Sequence, residues 1–255
     1  MMSGQRTDYE FLIGALSSGD GPATGAAAGT AVRDWAARTL RAVADGRRPL
    51  RAVLHPLGFT CLPVERAGRD GVCVHVWSPD VAAVTPAGSL IHAHCWELTS
   101  YALVGALDNS LMTVTDALPA PVTPAARPPL PARPADAPDA PAGAVYQVLR
   151  VRRQGDVDEL SPTRRLVHCQ AARRERVAAG DTYGVPAGVF HATDVAPQGE
   201  AVTVALGRMA DGVADLSLAP PGTAGHQVRR QRCDPAQTAA TARFVLDRLQ
   251  VALAR

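Results

Sequence analysis

The sequence predicts an all-β core with α-helices flanking it on the N- and C-terminal sides. Two observations carry this prediction. From about residue 51, short runs of β-branched, aromatic and apolar residues alternate with turn signals such as GRDG, TPAGS and LDNS, a texture typical of antiparallel sandwiches and barrels. On either side of this region, apolar residues recur at helical spacing instead.

The N-terminal helix is predicted over residues 30–44, and Gly46 follows as a stop signal. The apolar residues on its one face are Val32, Trp35, Leu40 and Val43. The Gly-, Ser- and Ala-rich stretch before it is expected to be a loop or a frayed end. The C-terminal helix is predicted over 234–254, because an Asp-Pro start precedes continued apolar periodicity.

A Pro- and Ala-rich segment, residues 118–143, interrupts the strand pattern and cannot bury an apolar face. Strand texture resumes directly after it, so an insertion between two strands of one domain fits better than a domain boundary. The predicted organisation is therefore an N-terminal helical segment (1–50), a β domain carrying the insertion (51–215), and a C-terminal tail and helix (216–255).

Composition excludes several classes of protein. The net charge of the 255 residues is only +2, so the chain lacks the excess of basic residues that is typical of proteins that bind nucleic acid. The N-terminus lacks the basic start and apolar run of a signal peptide, and no apolar stretch is long enough to cross a membrane. We expect a cytoplasmic protein with reduced thiols, since the cysteines are odd in number and show no CxxC spacing. They are Cys61, Cys73, Cys95, Cys169 and Cys233.

Three histidines form the candidate metal site. In IHAHCWELTSYALVG, residues 91–105, His92 and His94 are two apart, so on a strand they point to the same side. The segment GDTYGVPAGVFH, residues 180–191, supplies His191 after a Pro-x-Gly turn. Neutral imidazoles on one face of a divalent ion would leave its other positions open, as in a catalytic rather than a structural site.

These two segments resemble the two motifs of the cupin superfamily, commonly written G-x5-HxH-x3-4-E-x6-G and G-x5-PxG-x2-H-x3-N. The second motif matches through His191, and Val195 stands where its terminal Asn belongs. In the first, HxH is present and Gly105 takes the place of the closing glycine, but Gly88 precedes His92 by four residues instead of six.

The resemblance covers roughly residues 51–208 and implies a double-stranded β-helix, the cupin jelly-roll barrel. The family glutamate should fall at position 98 or 99, whereas this chain has Glu97. Strict alternation from His94 points Glu97 outward, although a β-bulge would turn it inward. A site of three histidines is therefore favoured, with Glu97 as a fourth ligand in the minority alternative.

Within the cupins, three histidines without the glutamate resemble the cysteine dioxygenase-like thiol dioxygenases, which hold Fe(II) and add dioxygen to a thiol. Arg66, 26 residues before His92, lies about where those enzymes keep an arginine for the substrate carboxylate. A surface position at a strand end explains Arg66 equally well. Tyr101 or Tyr183 could hydrogen-bond bound oxygen, or simply pack. Thr99 stands near the position of the cross-linking cysteine of some of these enzymes.

The functional hypothesis is a mononuclear non-heme dioxygenase acting on a small anionic, thiol- or amino-acid-like substrate. Fe(II) is the favoured metal, and Zn, Ni, Mn and Cu are the alternatives. One competing hypothesis is a non-redox isomerase, lyase or hydrolase with Glu97 as ligand or base. Another is a binding module without catalysis. The expected partners are the small substrate and O2, with neither nucleic acid nor membrane, and the flanking helices are candidates for a homodimer interface.

The remaining histidines and the neighbours of His94 are interpreted as structural. His75 and His168 lie on strand-like segments but outside any motif. Cys95 is expected to point away from the ligands as a small buried apolar residue. Trp96 is expected to pack on the outer face of its strand.

Overall fold

The computed structural model describes residues 7–18, 22–86, 88–117 and 144–253. The helices are α1 (Asp8–Ser17), α2 (Pro22–Ala44) and α3 (Pro235–Leu253). The strands are β1 (Val53–His55), β2 (Phe59–Ala67), β3 (Asp70–Trp77), β4 (His92–Ala93), β5 (Trp96–Asp116), β6 (Val145–Gln154), β7 (Val157–Ala178), β8 (Thr182–Val185), β9 (His191–Asp194), β10 (Ala201–Met209), β11 (Leu216–Ala219), β12 (His226–Arg229) and β13 (Gln231–Arg232).

Both predicted helices are present, but the N-terminal region holds more helix than expected. Helix α2 begins at Pro22 and α1 precedes it, so the prediction of a loop before residue 30 is wrong. Helix α1 is fixed by a capping box, in which Thr7 and Glu10 each accept from the other's backbone N–H. Helix α3 begins as predicted, and Asp234 and Gln237 cap it in the same reciprocal way at 2.7 and 2.9 Å.

The predicted all-β core is confirmed as an antiparallel assembly of all thirteen described strands. Their order is β12-β7-β6-β11-β4-β9-β5-β10-β3-β2-β1-β13, and β8 adds to β5. Because β7 pairs with β5 as well as with β6, the strands β5, β7, β6, β11, β4 and β9 form a closed ring of neighbours. This arrangement is compatible with a cupin-like jelly roll.

One part of the sheet packs on the helices with one face and carries a second apolar cluster on the other. This part consists of β1, β2, β3, β10 and the first half of β5. One face packs on the helices, and its buried core includes Leu62, Val74 and Val204 together with Trp35 of α2. The opposite face is lined by a second apolar cluster that includes Phe59. Period-2 alternation produces this division, since neighbours along a strand point to opposite sides.

Strand β5 passes from one part of the sheet to the other at Gly105. Its first half pairs with β10 and β8, and its second half pairs with β7 and β9. Gly105 has a positive φ of 70°, and a Cβ there would lie 1.8 Å from the carbonyl oxygen of Glu200. Both facts require glycine, which gives a physical reason for the closing glycine of the first motif.

The Pro-rich segment 118–143 lies outside the described residues. The strands on either side of it, β5 and β6, both pair with β7. The C-terminal region 216–232, expected to be a tail, instead supplies β11, β12 and β13 to the sheet. None of the described helices combines the length and apolar character needed to cross a membrane.

Replacing Gly105 by alanine should destabilise the protein by at least about 3 kcal/mol, because the new methyl group meets backbone rather than a movable side chain. The matched control is Gly46→Ala, at φ 73° with open space around a Cβ, which should cost about 1–2 kcal/mol from backbone strain alone. Urea unfolding of both variants measures the difference. Equal losses would show that the Glu200 carbonyl is not the constraint.

Candidate metal centre

The structure brings the three predicted histidines together. Strand β4 pairs with β9 so that His92 lies directly opposite His191, and His94 follows just after β4. The Nε2 atom of His94 lies 3.0 Å from Nε2 of His92 and 3.0 Å from Nε2 of His191. One ring nitrogen of each histidine therefore points at a common centre.

The turn of the second motif holds this arrangement in place. Gly188 has a positive φ of 78°, and Val189 N–H donates to the Pro186 carbonyl at 3.2 Å, closing a tight turn. The Gly188 N–H in turn donates to the His94 carbonyl at 2.8 Å. The Pro-x-Gly sequence thus ties the start of β9 to the chain that carries His94.

Oxygen acceptors orient the outer ring nitrogens of His92 and His191, whereas the buried Nδ1 of His94 has no hydrogen-bond partner among the described residues. His92 Nδ1 lies 2.7 Å from the Leu90 carbonyl, and His191 Nδ1 lies 3.2 Å from Oδ1 of the buried Asn109. Both Nδ1 atoms therefore carry the proton, which leaves lone pairs on the Nε2 atoms that face His94. Because the lone pairs on these Nε2 atoms face the same space, a cation bound between the rings would accept both of them. Two ligands at right angles around an ion about 2.1 Å away are about 3.0 Å apart, which fits the observed spacing.

The electrostatic surroundings keep all three imidazoles neutral. Burial lowers the pKa of His92, against the opposing effects of the Leu90 carbonyl and Asp215. Burial, followed by the proximity of the other histidines, holds the pKa values of His94 and His191 well below the usual range. Neutral imidazole is the form that binds a metal, so no proton has to leave near pH 7.

The three residues that follow His94 differ in part from the sequence predictions. Trp96 was expected on the outer face, but its ring stands edge-on against His94 with centroids 4.0 Å apart, so that prediction is wrong. Cys95 was expected to be buried, yet it is partly exposed and lies against Met209. Glu97 is exposed, as strict alternation predicts, and it is not drawn into the group of three histidines.

A cavity of about 410 Å³ opens beside the site, with His92 and His94 on its wall. The cationic side chains that line it are Arg66, Arg69, Arg153 and Arg230. Arg230 pairs with Asp158 at 2.7 Å and Arg69 with Asp211 at 2.8 Å. No ion pair among the described residues involves Arg66 or Arg153. The same wall carries Asp70, Asp158 and Asp215, so its four arginines and three aspartates leave a formal charge of +1.

A β-bulge turns Arg66 toward this cavity. The register of β2 against β3 shifts between Pro63 and Glu65. Leu62 and Arg66 are four residues apart, so on a regular strand both side chains would point to the same face. Because of the extra residue in the bulge, Leu62 packs toward the helices and Arg66 lines the cavity on the opposite face. Glu65 faces the other way, and its carboxylate accepts from the backbone N–H groups at the start of α1 at 2.8 and 3.2 Å.

The two tyrosines proposed to contact bound oxygen do not line the cavity. Tyr101 is buried in the core on the helix side of the sheet, and its hydroxyl lies 2.6 Å from the position that a Cβ of Gly29 would take. Tyr183 is buried in the interior cluster that includes Phe59 and Leu98. Neither place suits the predicted role, since neither side chain lines the cavity.

Sequence reasoning missed a second group of potential ligands on the same cavity. Cys61, Cys73 and His75 bring two thiols and an imidazole within 4.8 Å of one another. The hydrogen bond with Cys61 holds the pKa of Cys73 well below its usual range; His75 and Arg66 act in the same direction, against burial. The signal was the Cys-x-His spacing at 73–75, which repeats the His-x-His alternation at 92–94.

No model of a known protein family matches this chain, and no curated protein is significantly similar to it in sequence. The cupin resemblance therefore depends on the motif residues, the antiparallel architecture and the geometry of the three histidines.

Buried imidazoles make the stability of the metal-free protein depend on pH. His55 stacks on Phe59, and burial, then Arg230, His75 and His92, hold its pKa well below the unfolded value of about 6.5. The unfolded chain therefore binds more protons as pH falls below about 6.5, so stability is lost in that direction by about 1.4 kcal/mol per pH unit and histidine. His55→Gln should remove one such contribution from the slope.

Urea unfolding between pH 7 and 5, in the presence of a chelator, measures this slope. The control is His226→Gln, at an exposed histidine on β12, which should leave the slope of the wild type unchanged. Identical slopes for His55→Gln and the wild type would contradict the assignment of a half-buried, neutral His55.

The acceptor behind His191 should be needed for tight metal binding. Asn109→Ala should weaken binding of Mn(II) about 10- to 100-fold, because the imidazole then loses the group that fixes its orientation. Mn(II) is chosen since thiolates bind it poorly, and electron paramagnetic resonance counts the free ion. The neighbouring Asp108→Asn should bind as the wild type does, and an unchanged affinity in Asn109→Ala would contradict this role.

Proposed function

We propose that this protein is a mononuclear non-heme metal enzyme, with Fe(II) as the favoured metal, that adds dioxygen to a small anionic substrate. The observation that carries the proposal is the convergence of three neutral imidazole nitrogens beside a cationic cavity. His92, His94 and His191 would hold the ion from one side. The remaining positions would face the cavity, where substrate and dioxygen enter.

Fe(II) in such a site supplies the one-electron chemistry that dioxygen needs. The chain supplies orientation and shielding. Trp96 packs edge-on against His94 and restricts the motion of its ring. Phe59 and Leu57 give the cavity an apolar section of wall that limits the access of water.

Arg66 is the proposed anchor for the anionic end of the substrate. Its guanidinium lines the same cavity as His92 and His94, and none of the described carboxylates pairs with it. A planar guanidinium can grip a carboxylate in two places and so fix the direction of the substrate. A thiol- or amino-acid-like molecule, with its carboxylate at Arg66, would present its other end to the histidines.

The position of Glu97 removes one candidate ligand or base from the hypothesis of a non-redox isomerase, lyase or hydrolase. That hypothesis used Glu97 as ligand or base, yet the side chain is exposed on β5. A Lewis-acid enzyme would then work with the three histidines alone and with Zn, Ni or Mn. Cytoplasmic location and dimerisation through the flanking helices stay predictions.

Metal content by elemental mass spectrometry tests the proposal on protein purified without a metal-affinity column. The wild type should contain near-stoichiometric iron, and His94→Ala should lose it because one of three ligands is gone. His226→Ala, an exposed histidine far along the chain, is the matched control and should retain iron. Oxygen uptake would then be screened with small thiols and carboxylates.

Each outcome separates the hypotheses. Iron that persists in His94→Ala would contradict the ligand assignment. Lewis-acid chemistry would be favoured if the wild type contains zinc or nickel and His94→Ala loses it, and if the protein takes up no oxygen after that metal is exchanged for iron. No metal after anaerobic addition of Fe(II) would contradict the catalytic proposal and favour a binding module.

A further inference from the structure

A second cluster of metal-binding side chains lies on the hairpin of β2 and β3. Cys61 on β2 pairs directly opposite His75 on β3, and Cys73 is two residues before His75 on the same face. Directly opposed side chains on one face of an antiparallel pair lie about 4.5–5.5 Å apart at Cβ. As a result, the two sulfur atoms and a ring nitrogen of His75 all lie within 4.8 Å of one another.

This face of the hairpin belongs to the cavity. The alternate residues Leu62 and Val74 pack in the core on the helix side, whereas Cys61, Cys73 and His75 line the cavity. Both thiols are free and buried. The two sulfur donors are therefore shielded from bulk solvent, His75 is half-buried, and all three side chains face a space that can hold a further ligand.

We propose that Cys61, Cys73 and His75 form a second metal site, for a thiophilic divalent ion such as Zn(II), with its fourth position facing the cavity. Two thiolates and one imidazole are a donor set that zinc accepts in tetrahedral geometry, and three protein ligands leave one position for water or substrate. The site is separate from the three histidines and does not depend on the function proposed for them.

The distances suit such an ion. Zinc bonds of about 2.3 Å to sulfur and about 2.0–2.1 Å to nitrogen place tetrahedral ligands roughly 3.5–3.8 Å apart. The donor atoms lie within 4.8 Å of one another, so each pair needs to close by at most about 1.3 Å. Side-chain rotation on a fixed hairpin can supply this movement.

The charge of Arg66 is compatible with the ion. Its Nη2 donates to the Cys73 sulfur at 3.2 Å. Two thiolates cancel the charge of a divalent cation, so the guanidinium would lie beside a neutral complex rather than a bare cation. Hydrogen bonds to metal-bound thiolates are ordinary outer-shell contacts that orient the ligand.

The two clusters should select different ions. Soft thiolates favour zinc and copper(I), whereas a set of three imidazoles also accepts iron, nickel and other borderline ions. The one cavity would then hold a thiolate site on the β2–β3 hairpin and an all-imidazole site across β4 and β9.

Cobalt(II) distinguishes the two sites, because only a thiolate–cobalt bond gives an intense near-ultraviolet charge-transfer band. The metal-free full-length protein, kept reduced with a non-thiol reductant under anaerobic conditions, would be titrated with Co(II). The band should appear in the wild type and persist in His94→Ala. It should vanish in Cys61→Ser/Cys73→Ser, and persist in Cys169→Ser, the control at a buried cysteine in another core cluster.

Absence of the band in both the wild type and His94→Ala would overturn the proposal, as would its loss in Cys169→Ser alone. His75→Ala should keep a thiolate band but change the visible ligand-field spectrum, and an unchanged spectrum would overturn the role of His75. Far-ultraviolet circular dichroism of the double cysteine variant should match that of the wild type, which shows that it is folded whether or not the three histidines bind a metal. If the three histidines bind no metal, the Co(II) band still tests the site of Cys61, Cys73 and His75. If the band is absent, the metal content of the wild type and His94→Ala still tests the three histidines.

Discussion

The candidate centre depends on one backbone interaction, the antiparallel pairing of β4 with β9. His94 and His191 are 97 positions apart in the chain, and the pairing of His92 with His191 is what brings their rings together. This pairing is short, so it needs support from outside. Strand β11 flanks β4 on the other side, and the Gly188 N–H locks the turn before β9 to the carbonyl of His94.

The division of the sheet into two faces explains how a small chain carries both a stable core and a polar cavity. The helix face holds the large aliphatic core, with Tyr101 and Trp35 in it. The cavity face holds histidines, thiols and Arg66. The larger apolar core thus lies on one side of these strands, and the polar cavity residues share the other side with the second apolar cluster around Phe59. The parity of a residue along its strand decides which side its side chain faces.

Departures from regular geometry decide several of these assignments. The bulge in β2 brings Arg66 to the cavity while its neighbour Glu65 holds the start of α1. Gly105 lets β5 serve both parts of the sheet, because the Glu200 carbonyl approaches where any side chain would stand. Local irregularity is therefore what connects the helices, the sheet and the cavity.

The sequence by itself determined the β texture, the C-terminal helix and the three histidines, because alternation, capping signals and motif glycines act over a few residues. The Thr7–Glu10 capping box is a local pattern of the same kind, and it marks the start of α1, which the sequence analysis did not predict. Only the tertiary structure decided that Tyr183 lies off the cavity wall and that Cys61 meets His75, since strand register, bulges and the approach of distant strands depend on contacts that no short stretch contains.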